Sequence, residues 1–358
     1  MTDAADNTAY LSPPEMIGKP DELHLPGTRA FQGIPSLAVS PDGHLRAVWY
    51  AGKTPAEDYN NYIVFAGSRG CASAWEEYLI IDPDGEGPVR AFDPEIWFAP
   101  DGRLWLFWAQ GLDAPFKFGP SGVWAVSGTD ADSGNIEWSK PRRLCDGVMM
   151  CKPLVLSGGE WALPVSFWHR RDRGSAGIVV SEDRGETWYE RGACDVPPGE
   201  RDHDEHMLVE LKDGSLWMLV RTTYGIGESR SSDSGRTWSG LRPAGIEHPA
   251  SRFFIRRLNS GNLLLVKHGP IQKRTGRSHL TACLSGDEGA SWMGGLVLDE
   301  RDGVSYPDGQ QAQDGTIYII YDRARTGDRD ILLAAFTEDD VSAGKIISAA
   351  PGLKMKAG

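Results

Sequence analysis

The sequence predicts an all-β protein, a six-bladed β-propeller of four-stranded antiparallel blades. Three observations carry that expectation. A hairpin of two apolar strands around a glycine turn recurs six times along the 358 residues. An eight-residue turn, S-x-D-x-G-x-x-W, recurs three times: SEDRGETW at Ser181–Trp188, SSDSGRTW at Ser231–Trp238 and SGDEGASW at Ser285–Trp292. The composition, with 43 Gly, 23 Pro, 13 Trp and 40 % hydrophobic residues, suits a folded chain of short strands and tight turns.

The hairpins read SLAVSPDGHLRAVWY, IWFAPDGRLWLFWA, LVLSGGEWALPVSFW, LVELKDGSLWMLVR, IRRLNSGNLLLVKH and QQAQDGTIYIIYD, with turn glycines Gly43, Gly102, Gly159, Gly214, Gly261 and Gly315. Asp-Gly between alternating apolar runs is a hairpin signal, because the primed turns need a positive φ that Gly, Asn or Asp supplies. Each hairpin gives strands A and B of one unit. A variable polar loop follows, then strand C (NYIVFAGS and HLTACLSG are examples), then the eight-residue turn or a decayed form of it, then strand D. Four strands repeated six times specify a propeller. Residues 1–358 thus read as one domain with an N-terminal extension of about 25 residues.

The recurring turn is the C-to-D turn of a blade, and its role is structural. Its Asp hydrogen-bonds turn backbone, its Gly permits the dihedral, and its Trp packs between sheets. The copies SRGCASAW at Ser68–Trp75 and DSGNIEW at Asp132–Trp138 have decayed, as suits a packing element.

Composition also narrows the partners. A formal charge of -13 argues against nucleic acid, which needs clustered basic surface. The start MTDAADNTAYLSPPEM has no basic segment leading into an apolar run, and no apolar stretch of about eighteen residues occurs. A cytoplasmic protein with no membrane partner is expected. The five cysteines, Cys71, Cys145, Cys151, Cys194 and Cys283, form no C-x-x-C pair, so buried free thiols are expected rather than disulfides or zinc. HDEH at His203–His206 does not match a zinc helix, whose ligands stand at i and i+4. Phosphate-loop, nucleophile-elbow and kinase signatures are absent, and no cofactor or metal is expected.

Together with the FQGIPSL segment at Phe31–Leu37, the three intact eight-residue turns (Asp boxes) and six hairpins resemble the sialidase superfamily of BNR-repeat proteins over nearly the whole chain. Alternating strand directions put the A–B and C–D turns on one rim. The other rim carries the irregular charged loops, such as YAGKTPAEDYNN, WHRRDRG and YDRARTGDRD, where a site is expected. Strand A is innermost, so its first residues line the funnel; Glu95, Lys152, Asp204, Glu205, His206, Arg252 and Tyr306 fall there. The plainer reading of such charges is an axial salt-bridge network.

The resemblance implies more specific roles. It implies Tyr306 as nucleophile, opening the last strand A, and Glu205 as its base, sixteen residues before Arg221. It implies Arg221 and Arg277 as holders of an anionic sugar, with Arg274 as the competitor of Arg277. The acid/base residue falls on Glu57 or Asp58 of TPAEDYNN. A neutral tyrosine activated by a glutamate suits sialic acids, whose anomeric carbon bears a carboxylate that would repel a carboxylate nucleophile. The arginines are expected to hold that carboxylate and to depress the tyrosine pKa. The first arginine of the family triad stands immediately before Ile-Pro; here that position is Gly33, with Arg29, Arg252 or Arg325 as candidate substitutes.

The partner expected is therefore an acidic carbohydrate, and the activity a retaining exo-glycoside hydrolase. Arg252, Arg274, Glu95, Lys152 and His169 are further candidates for substrate contact, and Tyr50, Trp168 and Tyr321 for sugar stacking. Two other readings remain. A uronoside lyase would use Tyr306 or His206 to remove a proton at C5. A non-catalytic sugar-binding propeller is favoured if Tyr306 lies out of hydrogen-bond reach of Glu205.

Overall fold

All six hairpin glycines adopt the left-handed conformation the turns require, with φ between 82 and 93°. In the computed structural model the described residues are 8–71, 73–112, 119–129, 136–149, 151–170 and 174–358. They form six antiparallel sheets around an axis, each running A-B-C-D outward in chain order. The chain is a six-bladed propeller.

Blade 1 comprises Phe31–Val39, Leu45–Gly52, Tyr62–Ser68 and Glu76–Asp82. Part of the N-terminal extension joins it, because Glu15–Ile17 pairs with the outer strand Glu76–Asp82. Blade 2 has Val89–Phe98, Leu104–Leu112, Ser121–Thr129 and Arg142–Asp146. In blade 3 the inner strand is split into Val148–Met149 and Leu154–Val155, both pairing with Trp161–Ser166, and Ala176–Ser181 and Tyr189–Cys194 follow. Blades 4, 5 and 6 begin at Arg201, Phe254 and Val304. The one α-helix among the described residues, Glu338–Ala343, precedes the last strand; no helix there is long and apolar enough to cross a membrane.

Apolar residues of successive sheets interlock to form the core, with Trp49, Trp105 and Trp108 among its largest fully buried side chains. The ring closes without strand exchange. Side chains of blade 6 instead bond the backbone of the first inner strand: Asp322 Oδ2 accepts from Ile34 N at 2.8 Å, and Asp308 Oδ2 from Leu37 N at 2.8 Å.

The three intact Asp boxes share one geometry. Asp183 Oδ1 accepts from Thr187 N at 2.9 Å and from Ser181 Oγ at 2.8 Å, and Asp233 and Asp287 repeat the pattern. These bonds hold each carboxyl at about 2, below its usual range. Trp188 Nε1 donates to Gly185 O within its own turn. Part of the decayed second copy, with Asp132, lies outside the described residues. All five cysteines are free, and Cys151, Cys194 and Cys283 are buried.

One irregularity positions the site. The inner strands of blades 1, 2, 4 and 6 shift register at Gly33/Ser36, Phe92/Glu95, Arg201/His206 and Ser305/Asp308. At each bulge a non-glycine residue takes positive φ: Ile34, Asp93, His203 with Asp204, and Tyr306. In blades 1, 2 and 6 that residue precedes a proline, Pro35, Pro94 or Pro307. A bulge re-aims a side chain that regular pleating would turn into the sheet, and Ile34, Asp93, His203 and Tyr306 all line the funnel pocket.

Candidate active site

The funnel opens into a pocket of about 530 Å³ on the rim of the charged loops. At its floor the Tyr306 hydroxyl donates to Glu205 Oε1 at 2.7 Å. Arg221, at the end of strand B of blade 4, sends Nη1 to Glu205 Oε2 at 2.8 Å and to the Tyr306 oxygen at 2.9 Å, while Nη2 lies 3.1 Å from Asp202. Adjacent strands of one blade thus carry Glu205 and Arg221, and the last inner strand brings Tyr306 across the axis.

The electrostatics assign opposite protonation states to the pair. Burial opposes the Glu205 charge, but Arg221 and then Arg252 outweigh it, and the carboxyl falls to about 2. Burial and the Glu205 charge raise the Tyr306 phenol above its usual range. The arginines do pull it down, as the sequence suggests, yet burial and Glu205 prevail, so the expected net depression is corrected to a rise. At neutral pH the phenol holds the proton and the carboxylate is ionised.

Three guanidinium groups lie against the Tyr306 ring, with carbons 4.2 Å (Arg325), 4.8 Å (Arg252) and 5.6 Å (Arg277) from its centroid. Their commitments differ. Arg277 donates Nη2 to Ala250 O at 3.4 Å and has no ion pair among the described residues, leaving its charge directed at the pocket. Arg325 is held by Asp322 at 2.8 Å and approaches Glu57 Oε1 at 3.4 Å. Arg252 is 2 % exposed and lies beneath the pocket, 3.2 Å from Glu95 and 3.8 Å from Asp93.

Of the two candidate acids, Glu57 reaches the pocket and Asp58 does not. Glu57 accepts from Tyr50 at 2.7 Å, with Arg325 and Arg90 beside it. Burial opposes its charge, but these two arginines hold its carboxyl below the usual range. Asp58 instead orders its own loop, accepting from Thr54 Oγ1 at 2.5 Å and Asn60 N at 2.9 Å.

Several other sequence candidates stand elsewhere, each for a physical reason. His206 is fully buried behind the sheet, Nε2 on Gly177 O at 2.7 Å and Nδ1 on Asp204 O at 3.0 Å; burial lowers its pKa, and it cannot serve as a base at the pocket. Arg274 points outward to the carbonyls of Thr223 and Tyr224. His169 is exposed on its loop, edge-on to Phe167, outside the pocket lining; Arg171 beside it lies outside the described residues. Lys152 pairs with Asp308 at 2.8 Å and bonds Ser36 Oγ and Ile96 O. With Glu95 and Arg252 it forms the axial network that is the plainer reading of those charges. Tyr50 and Tyr321 are wholly buried, and only Trp168 of the three stacking candidates lines the pocket.

The pocket also contains residues that sequence reasoning missed. Asp93 lines it, its carboxyl raised to about 6 because burial outweighs Arg252. One wall is a stack: Arg90 lies 4.2 Å over Phe92, and Phe92 lies 5.9 Å from Trp168 at an interplanar angle of 22°. The X-Pro step that opens strand A in GIPS, FDPE and SYPD was a usable signal for Asp93, since it presents Tyr306 in the same way. Among the described residues no cluster of three or more His, Cys, Asp or Glu could hold a metal ion.

The family model described as BNR repeat-like domain matches residues 43–319, well over half of the chain. The chain belongs to that family. This BNR-repeat propeller is also similar to solved structures, sialidases among them. It superposes on the Hadza microbial sialidase Hz136 with TM-score 0.70 and 19 % identity, covering 88 % of this chain and 67 % of that one. A leech intramolecular trans-sialidase complexed with 2,7-anhydro-Neu5Ac gives 0.70 at 15 % identity, covering 91 % and 71 %. A protein of unknown function from Dyadobacter fermentans gives 0.66 at 16 %, covering 88 % and 95 %. At such identities the likeness is one of fold. No curated protein sequence matches the BNR-repeat chain significantly.

Proposed function

We propose that the protein is a sialidase-like exo-glycoside hydrolase that cleaves an anionic terminal sugar, sialic-acid-like or uronic, with retention of configuration. The observation that carries this reading is the 2.7 Å contact of a protonated Tyr306 with an ionised Glu205 beside Arg277, which has no ion pair among the described residues. A sugar-binding propeller has no need of a buried phenol aimed at a carboxylate, and of the two bases a lyase could use, His206 is buried away from the pocket and Tyr306 alone remains.

In the first step the Tyr306 oxygen bonds to the anomeric carbon as its proton passes to Glu205. The bond to the leaving group breaks, and the leaving oxygen takes a proton from Glu57, which must first be protonated because Arg325 and Arg90 favour its ionised form. In the second step water attacks the anomeric carbon and gives a proton to Glu57, and the Tyr306 oxygen departs and recovers its proton from Glu205. Arg277 and Arg221 hold the sugar's carboxylate, a charge-assisted pairing that keeps the anomeric carbon over the phenol. The Phe92–Trp168 wall offers an apolar face to the ring and its substituents.

The test is a panel of p-nitrophenyl glycosides of N-acetylneuraminic, glucuronic and galacturonic acids with their neutral counterparts. Nitrophenol release, the anomer first formed (by proton NMR) and ultraviolet absorbance of unsaturated sugar are followed together. Release confined to acidic glycosides, with a retained anomer, is expected; an unsaturated product or indifference to the carboxylate would overturn the reading.

A further inference from the structure

Gly33 stands where the family resemblance implies an arginine, and its backbone gives no reason for a glycine, since it is not among the positive-φ residues. The reason is space. A Cβ there would sit 2.7 Å from Cγ and 2.8 Å from Cδ of Arg325, and 3.0 Å from Asp322 Oδ2. Arg325 follows strand B of the sixth blade, Ile317–Arg323, and its methylenes lie across the bare glycine as it enters the pocket.

The arrangement is built rather than incidental. Asp322, fully buried, holds Arg325 Nε at 2.8 Å and accepts from Ile34 N at 2.8 Å through the same oxygen, so one carboxylate ties the arginine to the strand that lacks one. Ser305 Oγ accepts from Arg325 Nη2 at 3.0 Å. The other candidate substitutes are committed elsewhere: Arg29 is buried against Glu77 at 2.7 and 2.6 Å, and Arg252 lies under the pocket floor.

We propose that Arg325 is the third cation of the anion site, delivered from the sixth blade into the space that Gly33 leaves. This rests on the reading of an anionic sugar. Arg325 Nη1 also lies 3.4 Å from Glu57 Oε1, so the guanidinium that meets the sugar's carboxylate is the one that stabilises the charge of Glu57. A carboxylate bound at Arg325 offsets that stabilisation and leaves Glu57 a readier proton donor, which ties protonation of the leaving oxygen to an anion in place.

The test compares binding of N-acetylneuraminate and glucuronate with binding of their methyl esters, by NMR titration of the full chain. Arg325→Met keeps the methylenes over Gly33 and removes the charge; Gly33→Arg with Arg325→Ala returns an arginine to the first strand. Wild type is expected to prefer at least one acid over its ester, Arg325→Met to lose about tenfold or more of that preference, and the double variant to regain most of it. Arg325→Met is also expected to shift the alkaline limb of the kcat–pH profile upward, since Glu57 loses the nearer of its two cations; the acid-over-ester preference, not this shift, separates an anion-binding role from a packing one. If the preference survives in Arg325→Met but disappears in Arg277→Ala, the anionic-sugar reading stands and the role of Arg325 is refuted. A folded double variant without the preference refutes it as well, and a wild type indifferent to the ester removes reading and proposal together.

Discussion

Tyr306 and Glu205, 101 residues apart in sequence, share a hydrogen bond of 2.7 Å at the pocket floor. Because Glu205 is held ionised and Tyr306 protonated, the two form a donor and acceptor in the states a nucleophile and its base require. Tyr306→Phe and Glu205→Gln should each lower kcat by about three orders of magnitude or more, and the double variant should be little worse than the worse single, since such units are strongly non-additive. Steady-state kinetics on the preferred acidic glycoside decide it. A Tyr306→Phe protein with near-normal kcat would sink the mechanism.

Arg277 and Arg252 both face the Tyr306 ring, yet their removal should read out differently. Arg277 has no ion pair among the described residues, so Arg277→Ala should raise KM about tenfold or more while leaving Tm nearly unchanged. Arg252 is buried against Glu95 and Asp93 in the field of the ionised Glu205, so Arg252→Met removes the buried cation that balances Glu205 and Asp93, a loss of about 3–5 kcal/mol. Urea unfolding and kinetics on both variants separate the roles. Equal destabilisation would contradict the division between a binding cation and an axial one.

The Asp boxes lie on the rim away from the pocket. Asp183→Ala and Asp233→Ala should lower Tm while turnover per folded molecule stays near that of the wild type, because each removes three hydrogen bonds within its own turn. Their carboxyls titrate at about 2 in the fold, so this support is present above the ordinary Asp pKa of 3.8 and is lost as pH falls toward 2. Selective loss of kcat at unchanged Tm would place them in the site after all.

The propeller was legible because its signals are local and repeated: hairpin glycines and Asp boxes fix turns wherever they occur. The site was legible only in part. Glu205, Arg221 and Tyr306 stand at strand starts and ends, where position in the repeat determines direction. Asp58 and Glu57 are neighbours in sequence, and only the course of the loop decides that Glu57 faces the pocket while Asp58 caps its own turn. His206 follows Glu205 directly, and strand alternation turns it behind the sheet. Arg325 was one of three substitutes; choosing it required knowing which side chain crosses Gly33, a contact between the two ends of the ring.

The axial network sets the last prediction. Glu95, Asp93 and Asp308 face two cations, Lys152 and Arg252, so the carboxyls outnumber the charges that stabilise them. Burial, then Asp308, raises Glu95 to about 8, and burial raises Asp93 to about 6. The folded state therefore keeps protons that the unfolded chain releases near 4. The stability due to these groups is complete below their unfolded pKa values and declines as pH rises toward 6 and 8. Buried His248 and His268, with pKa values lowered by burial, act oppositely, since their contribution is lost as pH falls below 6.5. The difference between Glu95→Gln and wild type cancels those histidines. Glu95→Gln, which mimics the protonated acid, should match the wild-type Tm near pH 4 and exceed it progressively up to pH 8.5. Differential scanning calorimetry across that range is the measurement, and a gap that narrows as pH rises would mean that Glu95 is stabilised as an anion by Arg252.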